Sequence, residues 1–342
     1  MKKFKYDYIL YIGRFEPPHR AHVEIIKQAL TQSQHVIVLI GSAYQPRTIK
    51  NPLTWQEREN MIRSSVTPKE DNRLICLPLQ DKTYNDAAWT EQVQSLVSKQ
   101  TENTGRIAIT GHSKDKTSYY LNMFPQWDFI EVQKIDELHS TEIRQQMFEL
   151  EQVDKNNVSE GVYDYLKAFM NSNAFSILKD EYFFIQKYKQ AWAKAPYPPT
   201  FVTVDAVVVQ SGHVLLVRRK SEPGKNLWAI CGGFVDHKEH LEEAALRELK
   251  EETKIKVPVP VLRGNIKFKF VADAPNRSLR GRTISHVFGI ELPPGPLPKI
   301  SKAGGDDAAQ ARWIPLNVFS MMEDQMFEDH YHLINKVVEN LG

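Results

Sequence analysis

Disulfide chemistry has almost nothing to work with in this chain. Its 342 residues carry two cysteines, Cys76 and Cys231, far apart and each in an apolar run. They read as two buried, reduced thiols of a cytosolic protein. Charge of one sign is also missing. Lys plus Arg total 44 and Asp plus Glu 42, a net charge of +2, which gives no electrostatic basis for a nucleic-acid or membrane partner. No apolar stretch reaches the ~18 residues needed to span a bilayer. The opening MKKFKYDYILYIG puts basic residues before a short apolar run. No small-residue cleavage site follows, so the run predicts a strand and not a signal peptide, and the chain is expected in the cytoplasm. Internal repeats and low-complexity tracts are absent too.

What is present is an ordinary globular balance, 42% hydrophobic and 25% charged, over a length that favours two domains. In the first half, apolar runs at Tyr8–Ile12, His35–Ile40, Leu74–Leu79, Arg106–Thr110 and Phe129–Val132 alternate with helical segments. One helix opens at Thr54-Trp55-Gln56-Glu57, the spacing of a capping box, and a second covers Asp86–Lys99. Such alternation predicts an α/β domain with a parallel sheet, binding its ligands beyond the carboxyl ends of the strands. Helices follow from Ser140 to Ala195. Pro196, Pro198 and Pro199 then break the chain, which predicts domains at 1–195 and 196–342. The second half reads as mixed α+β: strands at Phe201–Gln210 and His213–Arg219 joined by Ser211-Gly212, a helix at Leu241–Thr253, strands at Ile266–Phe270 and Thr283–Glu291, and a last helix at Glu323–Asn340.

The second half holds the more specific motif. Gly232-Gly233-Phe234-Val235-Asp236-His237-Lys238-Glu239 is followed, seven residues on, by Arg247-Glu248-Leu249-Lys250-Glu251-Glu252-Thr253-Lys254-Ile255. On a helix Glu248, Glu251 and Glu252 share one face. Their mutual repulsion is a cost that a hard divalent cation would offset. Acidic helix faces are commonly just solvated. Six fixed identities at about one in fifteen each, however, give odds on the order of one in 10⁷ per window. The stretch resembles the Nudix box, Gly-x5-Glu-x7-Arg-Glu-U-x-Glu-Glu-x-Gly-U, with Lys254 in place of the last glycine. That glycine usually ends the helix at positive φ, so Lys254 implies backbone strain or a different exit. The resemblance implies hydrolysis of a nucleoside diphosphate linked to another moiety. It implies Mg²⁺, or Mn²⁺ in its place, on Glu248, Glu251, Glu252 and the Gly232 carbonyl, with Glu251 and Glu252 catalytic. Glu239 and Arg247 would fix the loop on the helix. The run from Asp273 to Thr283 carries Arg277, Arg280 and Arg282. A solvated basic loop would look the same, but the run also resembles the DxPxRSxRGR-T segment of Nudix ADP-ribose pyrophosphatases, which implies that these arginines bind ADP-ribose. Asp306 and Asp307 have no assigned role.

In the first half, Gly13-Arg14-Phe15-Glu16-Pro17-Pro18-His19-Arg20-Ala21-His22 follows the first strand. Two histidines three apart at a helix N-terminus face free N–H groups and a dipole that favour anions. The run resembles the GRFxPxHxGH segment of nucleotidyltransferases that attack the α-phosphate of ATP, with Ala21 for glycine. Leu138-His139-Ser140-Thr141-Glu142-Ile143-Arg144 resembles their ISxTxxR signature, in which Ser140 or Thr141 would cap a helix. The resemblance implies ATP binding by Gly13, Arg14, Phe15, His19, His22, Ser140, Thr141 and Arg144, with His19, His22 and Arg144 catalytic. Arg47 is a further candidate for phosphate contact. Gly111-His112-Ser113-Lys114-Asp115 with Tyr119-Tyr120-Leu121, and Tyr84-Asn85-Asp86-Ala87-Ala88-Trp89, resemble archaeal-type nicotinamide-mononucleotide (NMN) adenylyltransferases. In those, Asn85 and Trp89 would receive the nicotinamide.

Adenylyltransferase followed by Nudix is similar to the bifunctional family of NMN adenylyltransferase fused to ADP-ribose pyrophosphatase. The resemblance implies a Rossmann-like nucleotidyltransferase joined to an α+β Nudix fold. Its partners would be ATP, NMN and ADP-ribose, with no nucleic acid and no membrane; a homo-oligomer stays open. Two other readings stay open as well. One half could be active and the other a nucleotide-sensing module, or the acceptor of the adenylyl group could be a different phosphorylated compound.

Overall fold

A computed structural model describes residues 4–111, 121, 123–131, 138–301 and 308–341. The chain divides into two compact units, Met1–Lys179 and Asp180–Gly342. Among the described residues no helix is long and apolar enough to cross a membrane. His112 to Tyr120, Asp306 and Asp307 lie outside the described residues.

The first unit runs β1 (Tyr6–Gly13), α1 (Arg20–Gln32), β2 (Ser33–Ile40), α2 (Trp55–Ser64), α3 (Pro68–Asp71), β3 (Leu74–Pro78), α4 (Asp86–Thr101), β4 (Ile107–Gly111), β5 (Asp128–Glu131), α5 (Ser140–Leu150) and α6 (Glu160–Met170), and reaches into α7 (Asn173–Ala191). All pairings are parallel, in the order β3-β2-β1-β4-β5. The near-continuous apolar runs are explained by burial on both faces. Ile9, Tyr11, Val36 and Val38 pack with Ile25, Ile26 and Ile62 on one side. Leu10, Ile12, Ile37 and Leu39 pack with Val93 and Val97 on the other. Strand order reverses between β1 and β4, and there the crevice for a ligand opens beyond the strands' carboxyl ends. Cys76 of β3 is buried. The capping box forms as predicted: Glu57 N–H donates to Thr54 Oγ1, and Thr54 N–H to Glu57 Oε2.

The second unit continues with β6 (Thr200–Gln210), β7 (His213–Arg219), β8 (Trp228–Ala229), β9 (Cys231–Phe234), α8 (Leu241–Thr253), α9 (Val259–Gly264), β10 (Ile266–Ala272), β11 (Arg282–Glu291), β12 (Ala308–Pro315), α10 (Leu316–Phe319) and α11 (His330–Val338). The mixed sheet has the order β10-β11-β6-β7-β12, with β8 on β7 and β9 on β6. Among the described strands of this unit, β11 and β6 alone pair in parallel. Ser211 and Gly212 both take positive φ, 45° and 72°, the two-residue hairpin turn their sequence predicts. Val204, Ala206 and Val208 pack against Leu246 and Leu249 of α8.

The two compact units divide within α7, and the proline run lies beyond it. The last turns of α7 pack in the second unit: Glu181 accepts the Gly224 N–H, and Tyr188 and Trp192 pack edge-on against Phe201. The helix ends at Ala191, before the prolines, and its last residues already belong to the second core. Two expectations change. The last helix is shorter than predicted, because Glu323–Gln325 form a separate 3-10 turn and Glu328 takes φ 46°. The strands β8, β9 and β12 were not predicted.

Candidate active sites

In the first unit the motif after β1 folds over the carboxyl end of its strand. Gly13 is needed because the Phe15 ring lies on its α-carbon: a Cβ there would sit 2.8 Å from Phe15 Cζ. Phe15, at φ 56° and 1% exposed, packs edge-on against His22 at 5.0 Å. His19 is the N-cap of α1 and His22 its third residue. Their rings stack at 3.6 Å, and the His19 N–H donates to His22 Nδ1. Arg14, Glu16, Ala21, Ser140, Thr141 and Arg144 join them around a cavity of about 270 Å³.

Arg144 is buried, donating through Nη1 to the Glu16 carbonyl and through Nη2 to Thr141 Oγ1. Burial, and then the neighbouring Arg14, lower its pKa to about 10. It thus keeps its charge at neutral pH. The capping expectation is corrected: His139 is the N-cap of α5, and Ser140, already helical, donates to the Pro17 carbonyl, which ties α5 to the histidine loop.

Sequence reading missed Arg58 and Glu16, both at most 2% exposed and paired at 3.0 Å. Arg58 donates to the carbonyls of Arg14, Gly41 and Ser42. It therefore ties the segment after β1 to the segment after β2. Burial pushes the Glu16 carboxyl up to about 8 against the pull of Arg58 and the Leu53 amide. The one available signal was an arginine on the core-facing side of the capped helix. Arg47, the further candidate for phosphate contact, lies beside α2. Its guanidinium forms two hydrogen bonds with Glu57 and one with the Pro52 carbonyl, so it is committed to α2.

Asn85 and Trp89 open α4 beyond β3 and do not line that cavity. Asn85 Oδ1 accepts the Ala88 N–H as the helix cap. Trp89 is half-buried, 6.1 Å from the Phe124 ring.

In the second unit β9 delivers Gly232 and Gly233 against α8. A Cβ on Gly232 would lie 2.1 Å from the Val204 carbonyl, and one on Gly233 would lie 2.5 Å from Glu248 Oε1. At Gly232 only glycine allows so close an approach to the β6 backbone, and Gly233 leaves room for the Glu248 carboxylate. Glu252, 8% exposed, accepts the Gly232 N–H at 3.1 Å. Arg247 is the hub. It makes two bonds to Glu239, one each to Glu248 Oε1 and Glu251 Oε2, and one to the Phe234 carbonyl. These partners raise its pKa, and Arg247 in turn lowers that of Glu239. The sequence offered a divalent cation to offset the carboxylates' repulsion; Arg247 also offsets the charge of two of them.

Among the described residues no ready-made cluster of three His, Cys, Asp or Glu ligands converges on one point. The donor set still suits a hard divalent cation, because every candidate ligand is oxygen and three are carboxylates on adjacent turns of one helix. Lys254 follows the helix at φ 51°. The left-handed exit is kept without its glycine, so the strained alternative holds.

The three loop arginines do not act alike. Arg277 is buried in a two-bond pair with Asp329. Arg280 lies 5.5 Å over the Phe234 ring, and Arg282 donates to the Asp273 carbonyl.

The cytidylyltransferase-like family model matches residues 10–146 and the NUDIX domain model residues 199–337. A crystal structure of a bifunctional NMN adenylyltransferase/ADP ribose pyrophosphatase from Francisella tularensis, complexed with AMP and a manganese ion, matches with a TM-score of 0.93 and 38% identity. The match covers 98% of this chain and 100% of that one. The chain belongs to this bifunctional family. Its halves also match separate proteins. Nicotinamide/nicotinic acid mononucleotide adenylyltransferase of Acinetobacter baylyi is 37% identical over 180 residues, 52% of this chain and 95% of that protein. ADP-ribose pyrophosphatase of Methanocaldococcus jannaschii is 39% identical over 116 residues, 34% of this chain and 62% of that protein.

Proposed function

We propose that the first unit of this NMN adenylyltransferase/ADP-ribose pyrophosphatase family member transfers AMP from ATP to NMN, giving NAD and pyrophosphate. The second unit hydrolyses ADP-ribose to AMP and ribose 5-phosphate. The observation that carries the reading is the pairing of two intact sites in one chain: stacked histidines capping α1 in one unit, glutamates on α8 in the other.

In the first reaction a phosphate oxygen of the mononucleotide bonds to the α-phosphorus of ATP, and the bond to the bridging oxygen of pyrophosphate breaks. The residues do no covalent work. The N–H groups heading α1, the two imidazoles, Arg14 and Arg144 hold the phosphates in line and offset the charge that builds on the leaving group. Asn85 and Trp89 receive the nicotinamide, the indole stacking on its ring. In the second reaction Arg280 and Arg282 bind the diphosphate. Glu248, Glu251, Glu252 and the Gly232 carbonyl would hold Mg²⁺ or Mn²⁺, which polarises the diphosphate and lowers the pKa of the attacking water.

Purified protein with Mg²⁺ is given ATP plus NMN in one reaction and ADP-ribose in another, with products separated by chromatography. NAD in the first and AMP in the second are expected. Product in only one would favour the alternative of one active half and one sensing half.

A further inference from the structure

Three consecutive residues at the head of α11 grip two separate loops of the second unit. Asp329 makes a two-bond ion pair with Arg277 of the arginine loop, at 2.8 and 2.9 Å, with both side chains under a tenth exposed. Glu328, in a left-handed conformation at φ 46°, brings its carboxyl beside Arg280 and Ser278 of the same loop. His330 turns the other way, and its Nδ1 accepts the Ile230 N–H at 3.0 Å, at the entry to the glycine strand β9. Burial lowers the pKa of His330 to about 3, so the ring is neutral and Nδ1 is a true acceptor. Beneath them Asp205 stands opposite Gly232 in the sheet, accepts from Ser285 Oγ, and lies 3.9 Å from Arg277. A non-glycine residue in the left-handed region is uncommon and strained, so it persists where surrounding contacts fix it.

We propose that Glu328-Asp329-His330 is a bracket that sets the spacing between the arginine loop and the glycine strand, and that Arg277 is a positioning residue which aims Arg280 and does not itself touch the diphosphate. This rests on reading the second unit as an ADP-ribose pyrophosphatase. One loop carries the cations for the diphosphate and the other the Gly232 carbonyl, so their separation fixes where the scissile bond sits between them. Leaving one member of a buried ion pair without its partner is strongly destabilising, which ties the loop to α11 more firmly than a surface contact would.

The test is a double-mutant cycle in the full chain with Mg²⁺ and ADP-ribose, reading KM and kcat separately. R280A alone is expected to raise KM about tenfold, the effect of removing one charge-assisted hydrogen bond to the substrate. R277A is expected to do the same. In R277A/R280A the rise should stay within about twofold of the larger single effect, because an unaimed Arg280 has little left to lose. Effects that multiply, to roughly a hundredfold, would mean that Arg277 binds substrate directly and would overturn the proposal. R277M/D329L removes both buried charges together and covers the case in which R277A fails to fold.

Hydrogen exchange gives a readout that needs no turnover. D329N should speed amide exchange both at 228–234 and at 274–282, while NAD synthesis by the same protein stays unchanged. Faster exchange in the arginine loop alone, or in neither segment, would also overturn the bracket. A wild-type chain that releases no AMP defeats the functional reading, and the exchange experiment still decides on the bracket.

Discussion

Among single residues, Glu252 gives the sharpest test. Its carboxylate accepts the Gly232 N–H, a bond that the amide oxygen of glutamine can replace. Glu252→Gln should therefore fold normally. If the carboxylate holds a cation, AMP release from ADP-ribose should fall about 10²–10⁴-fold in kcat, the scale of losing a major electrostatic stabiliser. Unchanged release would end the metal-site reading. Glu16 makes a pH prediction. Its folded pKa of about 8 lies above the ordinary 4.5, so the folded state holds a proton that the unfolded chain has lost. Stability of the first unit should fall as pH rises from about 4.5 to about 8. Denaturant unfolding of Glu16→Gln across that window should show a flatter profile; an unchanged slope would mean that Glu16 titrates normally.

At the scale of elements, the exit of α8 and the end of α7 can each be probed. Lys254 occupies a left-handed position that glycine adopts without steric cost. Lys254→Gly should stabilise the second unit by about 1 kcal/mol, a rise of roughly 2–4 °C in its melting temperature. A fall would mean that the lysine side chain contributes more than its backbone strain removes. The helices and most strands were legible because their periodicity is local: α8 begins and ends where its apolar spacing predicts. The short strands β8 and β9 were not, since two to four residues with two glycines carry no period. The pairing of His19 and His22 at the head of α1 was legible because a motif fixes them as neighbours in sequence. The pair of Arg277 with Asp329 was not legible, because the two lie 52 residues apart. Arg58 was missed for the same reason: three carbonyls from two loops converge on it only after folding.

For the whole molecule, the two halves are predicted to fail separately. His22→Ala should abolish NAD synthesis and leave AMP release intact, the mirror image of Glu252→Gln. Loss of both activities in either variant would mean that the units depend on each other. Where to cut the chain follows from packing: a fragment from residue 172 onward keeps Glu181, Tyr188 and Trp192 in the second unit, and one from 196 discards them. We expect the longer fragment to hydrolyse ADP-ribose and to melt several degrees above the shorter. Equal melting temperatures would place the working boundary at the proline run.

The two cysteines fall one to each unit, Cys76 in β3 and Cys231 in β9, and both are buried. Burial raises the Cys76 thiol to about 12 and the Cys231 thiol well above its ordinary value. Folded, neither thiol supplies the thiolate that an alkylating reagent attacks. The chain thus carries its own pair of labels. In a brief pulse of iodoacetamide under rising urea, the mass added at each cysteine reports which half has opened and in what order, with no dye, tag or added mutation.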